Sequence, residues 1–295
     1  MNKAFITGIS GYVGSHLAHY LLTKGWSISG LIRETSSLTY LDDISPNIFL
    51  FKYGGITTLI DALNERQPDV VFHLAACSGT GNNNARIKTL IDSNILLGTE
   101  LLDAMKVCGC RLIVNTGTYW QNFQSEEYNP VDLYAATKEA FEKLLKYYTE
   151  VENIRAITLR LFDIYGPNDN RPKLLNVIKR IANTSESLCI SPGEQLLDMV
   201  YITDICRAYE QAYFLLSSDK SIGNEVFGVY TNQRVPLKNI VKEYVKLLGK
   251  PVNIIYGGKP YKRREIMTPA SHLKALPGWQ AEVSLEEGLA KLIHS

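Results

Sequence analysis

The sequence has no excess of either charge: 31 Lys and Arg face 30 Asp and Glu, a formal net charge of +1. So balanced a chain offers no electrostatic footprint for nucleic-acid phosphates or an anionic membrane surface. Long apolar runs are missing as well. The longest, Val70 to Cys77, is interrupted by His73 and falls far short of the about 20 residues a membrane-spanning helix requires. The start, Met1-Asn-Lys-Ala-Phe-Ile-Thr7, reads as a strand and lacks the anatomy of a signal peptide, so a cytoplasmic protein is expected. Cysteines are few and odd in number, at 77, 108, 110, 189 and 206, which excludes a disulfide framework. Cys108-Gly109-Cys110 has the wrong spacing for structural zinc, and no metal site is expected. There is neither an internal repeat nor a low-complexity tract. What remains, 45% hydrophobic and 21% charged residues, describes a folded globular chain.

The first half alternates short apolar runs with amphipathic stretches. Strands are expected at 3–7, 26–32, 47–51, 69–76, 111–115 and 155–161, with helices at 12–24, 58–66, 90–107 and 133–150. Strand–helix alternation of this kind predicts an α/β fold, a doubly wound parallel sheet with helices on both faces. After Gly166-Pro167 the rhythm changes: loops lengthen, and Pro and Gly recur. The division expected is residues 1–165 as a dinucleotide-binding unit and 166–295 as a smaller mixed α/β region. A helix near 204–216 is expected to pack back on the first unit.

Thr7-Gly8-Ile9-Ser10-Gly11-Tyr12-Val13-Gly14 sits where the first strand meets the first helix. Glycines at this spacing permit a tight turn, a close approach of backbone to a pyrophosphate, and close helix–strand packing. The amides of the helix N-terminus complete an anion site. Together with the parallel sheet, this defines a Rossmann-type dinucleotide site. At the end of the second strand, Arg33 stands where a guanidinium meets the 2′-phosphate of NADP, with Ser36 as an added hydroxyl. NADP (NADPH) is therefore expected over NAD, although Glu34 offers a competing ribose contact.

Tyr134 and Lys138 are four apart at the start of a predicted helix, on one face. An ammonium beside a phenol favours the phenolate and lowers a pKa of about 10, which suits proton transfer. A third, hydroxyl group is expected at the end of the fifth strand, where Thr118 is favoured and Thr116 is its rival.

These residues together resemble the extended short-chain dehydrogenases/reductases that modify nucleotide sugars. The resemblance runs through Gly8, Gly11 and Gly14, His73-Leu74-Ala75-Ala76, Asn94-Ile-Leu-Leu-Gly-Thr99, the Tyr134–Lys138 pair and Leu159-Arg-Leu-Phe-Asp-Ile-Tyr-Gly-Pro167. It continues through Asp198-Met-Val-Tyr-Ile-Thr-Asp204 and Leu276-Pro-Gly-Trp279…Gly288. It implies that Tyr134 is the acid/base, Lys138 its partner and a ribose ligand, and Thr118 the hydroxyl. It further implies that Leu74, Ala75, Ala76 and Leu161 touch the cofactor. No carboxylate pair follows Thr118, since Tyr119 and Trp120 stand there, which argues against 4,6-dehydration. Leu197 replaces an Arg that usually precedes Asp198. The stretch Thr116-Gly-Thr-Tyr-Trp-Gln121 is most similar to 4-ketoreductases of the CDP-abequose and CDP-paratose synthase kind.

The resemblance thus implies an oxidoreductase that reduces a nucleotide-diphospho-4-keto-6-deoxysugar with NADPH, in deoxysugar biosynthesis for surface polysaccharide. Its substrate contacts are expected at Thr118, Tyr119, Asn176, Lys179, Lys262 and Arg263. A homodimer through the helices at 90–107 and 133–150 is also implied. A 4-epimerase using the same groups is the alternative, and a non-catalytic NADP-binding sensor a third reading. The choice among CDP, GDP and dTDP, and the product stereochemistry, are expected to depend on the loops at 79–84 and 168–173.

Overall fold

A computed structural model describes residues 1–77, 84–125, 127–270 and 272–293. The specificity loop expected at 79–84 lies outside these residues, apart from Asn84. Seven parallel strands form the main sheet: β1 (Lys3–Thr7), β2 (Ser27–Ile32), β3 (Ile48–Lys52), β4 (Val70–His73), β5 (Leu112–Thr118), β6 (Arg155–Leu161) and β10 (Asn224–Val229). Their order is β10-β6-β5-β4-β1-β2-β3. Strand order reverses between β1 and β4, and an open α/β sheet binds ligands at such a switch point. The glycine turn leaves β1 and Leu74–Ala76 leaves β4, so both motifs stand at that crevice.

The central strands are buried on both faces: Phe5, Ile6, Val71, Phe72, Ile113 and Val114 are wholly inaccessible. That is why they read as continuous apolar runs and not as alternating ones. One face is covered by α2 (Ile56–Arg66), α4 (Leu97–Cys108) and α5 (Leu133–Val151), with Leu59, Leu63, Leu101, Met105, Phe141 and Leu145 in its core. The other is covered by α1 (Tyr12–Thr23) and α7 (Ile202–Ser218), which pack together through Leu17, Leu21, Tyr209 and Leu216. Tyr20 on α1 also donates to Glu210 on α7 at 2.5 Å.

Three features differ from the expected element pattern. The helix expected at 90–107 is α3 (Asn84–Ile91), a π-helical turn Asp92–Leu96, and α4. The fifth strand continues to Thr118, three residues past the apolar run, because each of these residues pairs with β6. The strand expected over 69–76 stops at His73, after which the chain crosses the glycine turn.

The remaining elements are β7 (Asp163–Tyr165), α6 (Leu174–Ile181), β8 (Ser187–Ile190), β9 (Leu196–Tyr201), β11 (Arg234–Pro236), α8 (Leu237–Leu248), β12 (Asn253–Tyr256) and α9 (Leu285–Ile293). They make a three-stranded sheet, β11-β9-β7, and a parallel pair, β12-β8. Asp204 ties the tail down: its carboxylate accepts from the amides of Glu282 and Val283 and pairs with Arg207, and its carbonyl accepts from Trp279 Nε1. Among the described residues no helix is long and apolar enough to cross a membrane.

Candidate active site

Gly8 turns the chain at φ 73°, and a Cβ there would lie 2.7 Å from the Ala75 amide nitrogen. A Cβ on Gly14 would overlap the Gly8 carbonyl. Only glycine fits either position, and the chain is drawn tight: the Gly11 amide donates to the Gly8 carbonyl at 3.0 Å. Tyr12, Val13 and Gly14 then form the first turn of α1, whose amides have no partner within the helix. Across the turn, the Leu74 and Ala75 amides donate to the Thr7 carbonyl and hydroxyl, both at 3.2 Å, so residues 74–76 form the opposite wall.

At the end of β2 the Arg33 amide donates to the Ser36 hydroxyl at 2.9 Å, which shapes the turn, while the Arg33 side chain is exposed. Glu34 turns away to an exposed pair with Lys52 at 2.9 Å.

Asp132 caps α5, accepting from the Ala135 amide at 2.9 Å, and so sets Tyr134 in the first turn. One turn on, Lys138 is 1% exposed and its Nζ has no hydrogen-bond partner among the described residues. Burial alone pushes this ammonium down to about 8, against a smaller opposing pull from Glu142. Burial, reinforced by Asp132, pushes the Tyr134 phenol up to about 12, and Arg171 opposes this. The expected lowering of Tyr134 by Lys138 is therefore not found. Desolvation outweighs every charge near the phenol and leaves it protonated.

His73 lies within electrostatic reach of Lys138, wholly buried against Phe141 with Nδ1 2.8 Å from the Thr7 hydroxyl. Burial lowers it to about 3, so the imidazole is neutral.

Thr116 and Thr118 share one face of β5. The Thr116 hydroxyl donates to the His73 carbonyl at 2.8 Å and is bonded to the Tyr209 hydroxyl at 2.7 Å. Thr118 is 9% exposed; its Oγ1 accepts from the Trp120 amide at 3.3 Å, leaving its proton free to donate.

Of the residues expected to meet substrate, Tyr119 is buried, stacked on Phe162 and donating to Asp163 at 2.8 Å. Lys262 stands 5.6 Å over the Trp120 ring, which brings the basic loop to the Thr118 side of the cleft. Arg263 is exposed, and Arg264 bonds Asn129 and lies over Phe123. Asn176 and Lys179 line an open cavity of about 320 Å³. Their donors serve the chain itself: Asn176 the carbonyls of Asp169 and Arg171, Lys179 that of Leu292. Leu161, next to Thr118 in the β5–β6 register, is buried.

Two further residues had no role assigned from the sequence. Asn94, buried in the π-helical turn, holds both the amide and the carbonyl of Cys77 and the Thr137 hydroxyl, so it locks the end of the β4 loop to α5. An inserted residue in a helix is how such a side chain comes to be aimed inward. Arg171, paired with Asp169, lies over the Tyr12 ring at 4.5 Å and so reaches the mouth of the glycine turn. Leu197, in place of the resembled family's Arg, is partly buried; the adjoining Asp198 accepts from the Thr231 amide and hydroxyl.

A glycine cradle and a buried ammonium without a partner among the described residues fit a dinucleotide: the first would take its pyrophosphate, the second its ribose hydroxyls. Fold and site together define a dinucleotide-binding protein of the Rossmann kind with a Tyr–Lys pair at the switch point. The chain belongs to the NAD dependent epimerase/dehydratase family, the extended branch of the short-chain dehydrogenases/reductases, whose pattern matches residues 4–224. It is 33% identical over 270 residues to a CDP-abequose synthase of Yersinia pseudotuberculosis, covering 90% of this chain and 91% of that one. A CDP-abequose synthase of Salmonella muenchen is 28% identical over 305 residues, covering 99% and 97%. Among solved structures, the fold is shared with a UDP-glucose 4-epimerase of Thermotoga maritima bound to UDP-glucose (TM-score 0.85, 20% identity, 99% and 97% covered). It is also shared with a UDP-glucose 4-epimerase of Thermus thermophilus in complex with NAD (TM-score 0.82, 20% identity, 99% and 98% covered).

Proposed function

We propose that this chain is an NADPH-dependent 4-ketoreductase acting on a nucleotide-diphospho-4-keto-6-deoxysugar. The observation that carries the reading is the placement of Tyr134 in the first turn of α5, one turn from the buried Lys138. A phenol that burial keeps protonated, one helical turn from a buried ammonium with no hydrogen-bond partner among the described residues, can donate a proton, and ketone reduction needs a donor. The relatives named CDP-abequose synthase support the same direction.

In this reading the amides of the Gly8–Gly14 turn hold the pyrophosphate and Lys138 holds the ribose hydroxyls. Arg33 meets the 2′-phosphate, an assignment supported by the engagement of Glu34 with Lys52. Bound NADPH supplies the hydride delivered to the sugar C4. Thr118 donates a hydrogen bond to the carbonyl oxygen, and Tyr134 donates a second and then its proton. As the phenol loses that proton, the Lys138 ammonium stabilises the phenolate. Lys262, near Trp120, and Arg263 meet the nucleotide diphosphate.

Residues 1–165, joined by α7 and β10, serve the dinucleotide; the rest of 166–295 serves the sugar nucleotide. A homodimer through α4 and α5 is supported by the exposed Val107, Tyr147 and Val151, and a cytoplasmic setting by the unpaired cysteines.

The test is a panel of CDP-, GDP- and dTDP-linked 4-keto-6-deoxyhexoses, each with NADPH and with NADH. Reduction of one nucleotide series with preference for NADPH supports the reading; no reduction in any arm removes it.

A further inference from the structure

We infer that Gln121 is a positioning residue for the reduction, tying the peptide of Thr118 to a buried cluster of Glu139, Glu142 and Arg160. The inference rests on Thr118 being the substrate-facing hydroxyl of the proposed reaction.

The Thr118 amide donates to Gln121 Oε1 at 2.9 Å. Gln121 Nε2 donates to Glu139 at 2.7 Å and to Glu142 at 2.8 Å. Arg160 Nη2 donates to the same two carboxylates at 3.0 and 2.6 Å, and its Nη1 to Asn122 Oδ1 at 2.6 Å. Gln121 is wholly buried, and the three charged residues are less than a tenth exposed. Two carboxylates against one guanidinium leave excess negative charge, met by Lys143 at the rim, 3.2 Å from Glu139, and by the Gln121 amide. A buried cluster of this kind is stable only when every member is satisfied.

Chemistry leaves this amide one orientation. Its NH2 must face the carboxylates, so its oxygen must face the Thr118 N–H. The bond also closes a reciprocal cap on the 3-10 turn Tyr119–Gln121, whose other half is Thr118 Oγ1 accepting from the Trp120 amide. Gln121 thereby holds the Thr118 peptide directly and the Thr118 hydroxyl through the turn that carries the Trp120 amide. The packing has no slack: a Cβ on Gly117 would stand 2.8 Å from Glu142 and 3.0 Å from Gln121. Glu139 and Glu142 ride on α5, the helix that carries Tyr134 and Lys138, and Glu142 is one turn beyond Lys138. The cluster thus references the hydroxyl donor to the proton donor across three elements, β5, α5 and β6. The helix does not depend on Gln121 for its own stability, since Asp132 caps it and Phe141 and Leu145 bury its inner face.

The test compares Gln121→Leu with the wild-type chain in turnover, NADPH affinity, thermal stability and hydrogen exchange at the Thr118 amide. The expected result is a kcat lowered about 100-fold by the loosened hydroxyl, with KM and NADPH affinity within about threefold. The Thr118 amide should exchange faster in a chain that is still folded. Should Gln121→Leu fail to fold, Gln121→Asn keeps the amide one methylene short of Thr118 and makes the same comparison. Loss of fold in both variants overturns the inference, because Gln121 is then a residue of the fold. A kcat within threefold of a reducing wild type overturns it and leaves the ketoreductase reading standing. A wild type that reduces nothing removes that reading, while unchanged Thr118 exchange in Gln121→Leu overturns the positioning role in either case.

Discussion

Tyr134 and Lys138 lie one turn apart on α5, and burial drives their titrations apart from nearly the same ordinary value, the phenol up to about 12 and the ammonium down to about 8. Each is thereby biased to its neutral form. At neutral pH the phenol still has its proton, and the amine is still largely charged. That is the arrangement a reductase needs before its substrate arrives. Tyr134→Phe removes the proton and nothing else of comparable size. Turnover should fall by about 10²–10⁴-fold, with NADPH affinity, read by nicotinamide fluorescence, nearly unchanged. Near-normal turnover would contradict the role.

Lys138 makes a prediction about pH. Its pKa is lowered on folding, so the charged form is the one the folded apoprotein penalises. The cost is full below about 8 and is relieved between about 8 and 10.5, where the folded chain has released a proton that the unfolded chain keeps. A shift of that size corresponds to about 3 kcal/mol at neutral pH. Lys138→Met should therefore raise the thermal stability of the apoprotein at neutral pH and remove its rise above about pH 8, while abolishing turnover. In the wild type, NADPH affinity should weaken as pH climbs through about 8; an affinity flat across that range would count against the ribose contact.

The two threonines should separate cleanly. Thr118→Val deletes a free donor and should lower kcat by about 10- to 100-fold. Thr116→Val deletes a hydroxyl already committed to the His73 carbonyl and Tyr209. It should cost mainly stability, about 1–3 kcal/mol for the buried partners left behind. A larger kcat effect at Thr116, measured on folded protein, would reverse the assignment.

Arg33→Ala should weaken NADPH by about 10- to 100-fold, the range of one charged hydrogen-bonded contact, and leave NADH within about twofold. Equal weakening of both would place Arg33 elsewhere than at the 2′-phosphate.

Much of the sheet was legible because its signals are local: apolar runs, a glycine turn, Pro68 before β4, and the landmarks from Asp198 to Gly288. What escaped depends on partners distant in sequence. β10 takes its place at the sheet edge by pairing with β6, some seventy residues earlier in the chain. The π-helical turn hides in a helical pattern because one extra residue barely disturbs the apolar spacing, yet it is what aims Asn94 at Cys77. Asn176 and Lys179 stood out as polar residues beside the cleft, but their hydrogen bonds go to loop and C-terminal carbonyls that no spacing predicts. Gln121 carried no signal, since its partners arrive from Thr118, α5 and β6 only in the folded chain. The reversal at Tyr134 has the same root: spacing showed the neighbouring ammonium, while burial, which decides the outcome, belongs to the fold.

The central claim, net reduction of a sugar 4-ketone with Tyr134 as the proton donor, is tested most directly by following NADPH deuterated at its transferable position. With a CDP-linked 4-keto-6-deoxyhexose, the account predicts one NADPH oxidised per product and deuterium at the sugar C4, both lost in Tyr134→Phe. An untouched ketone in that assay, with the C4 epimers of the corresponding 4-hydroxy sugar nucleotide interconverted without net nicotinamide oxidation, would contradict it and make the chain an epimerase.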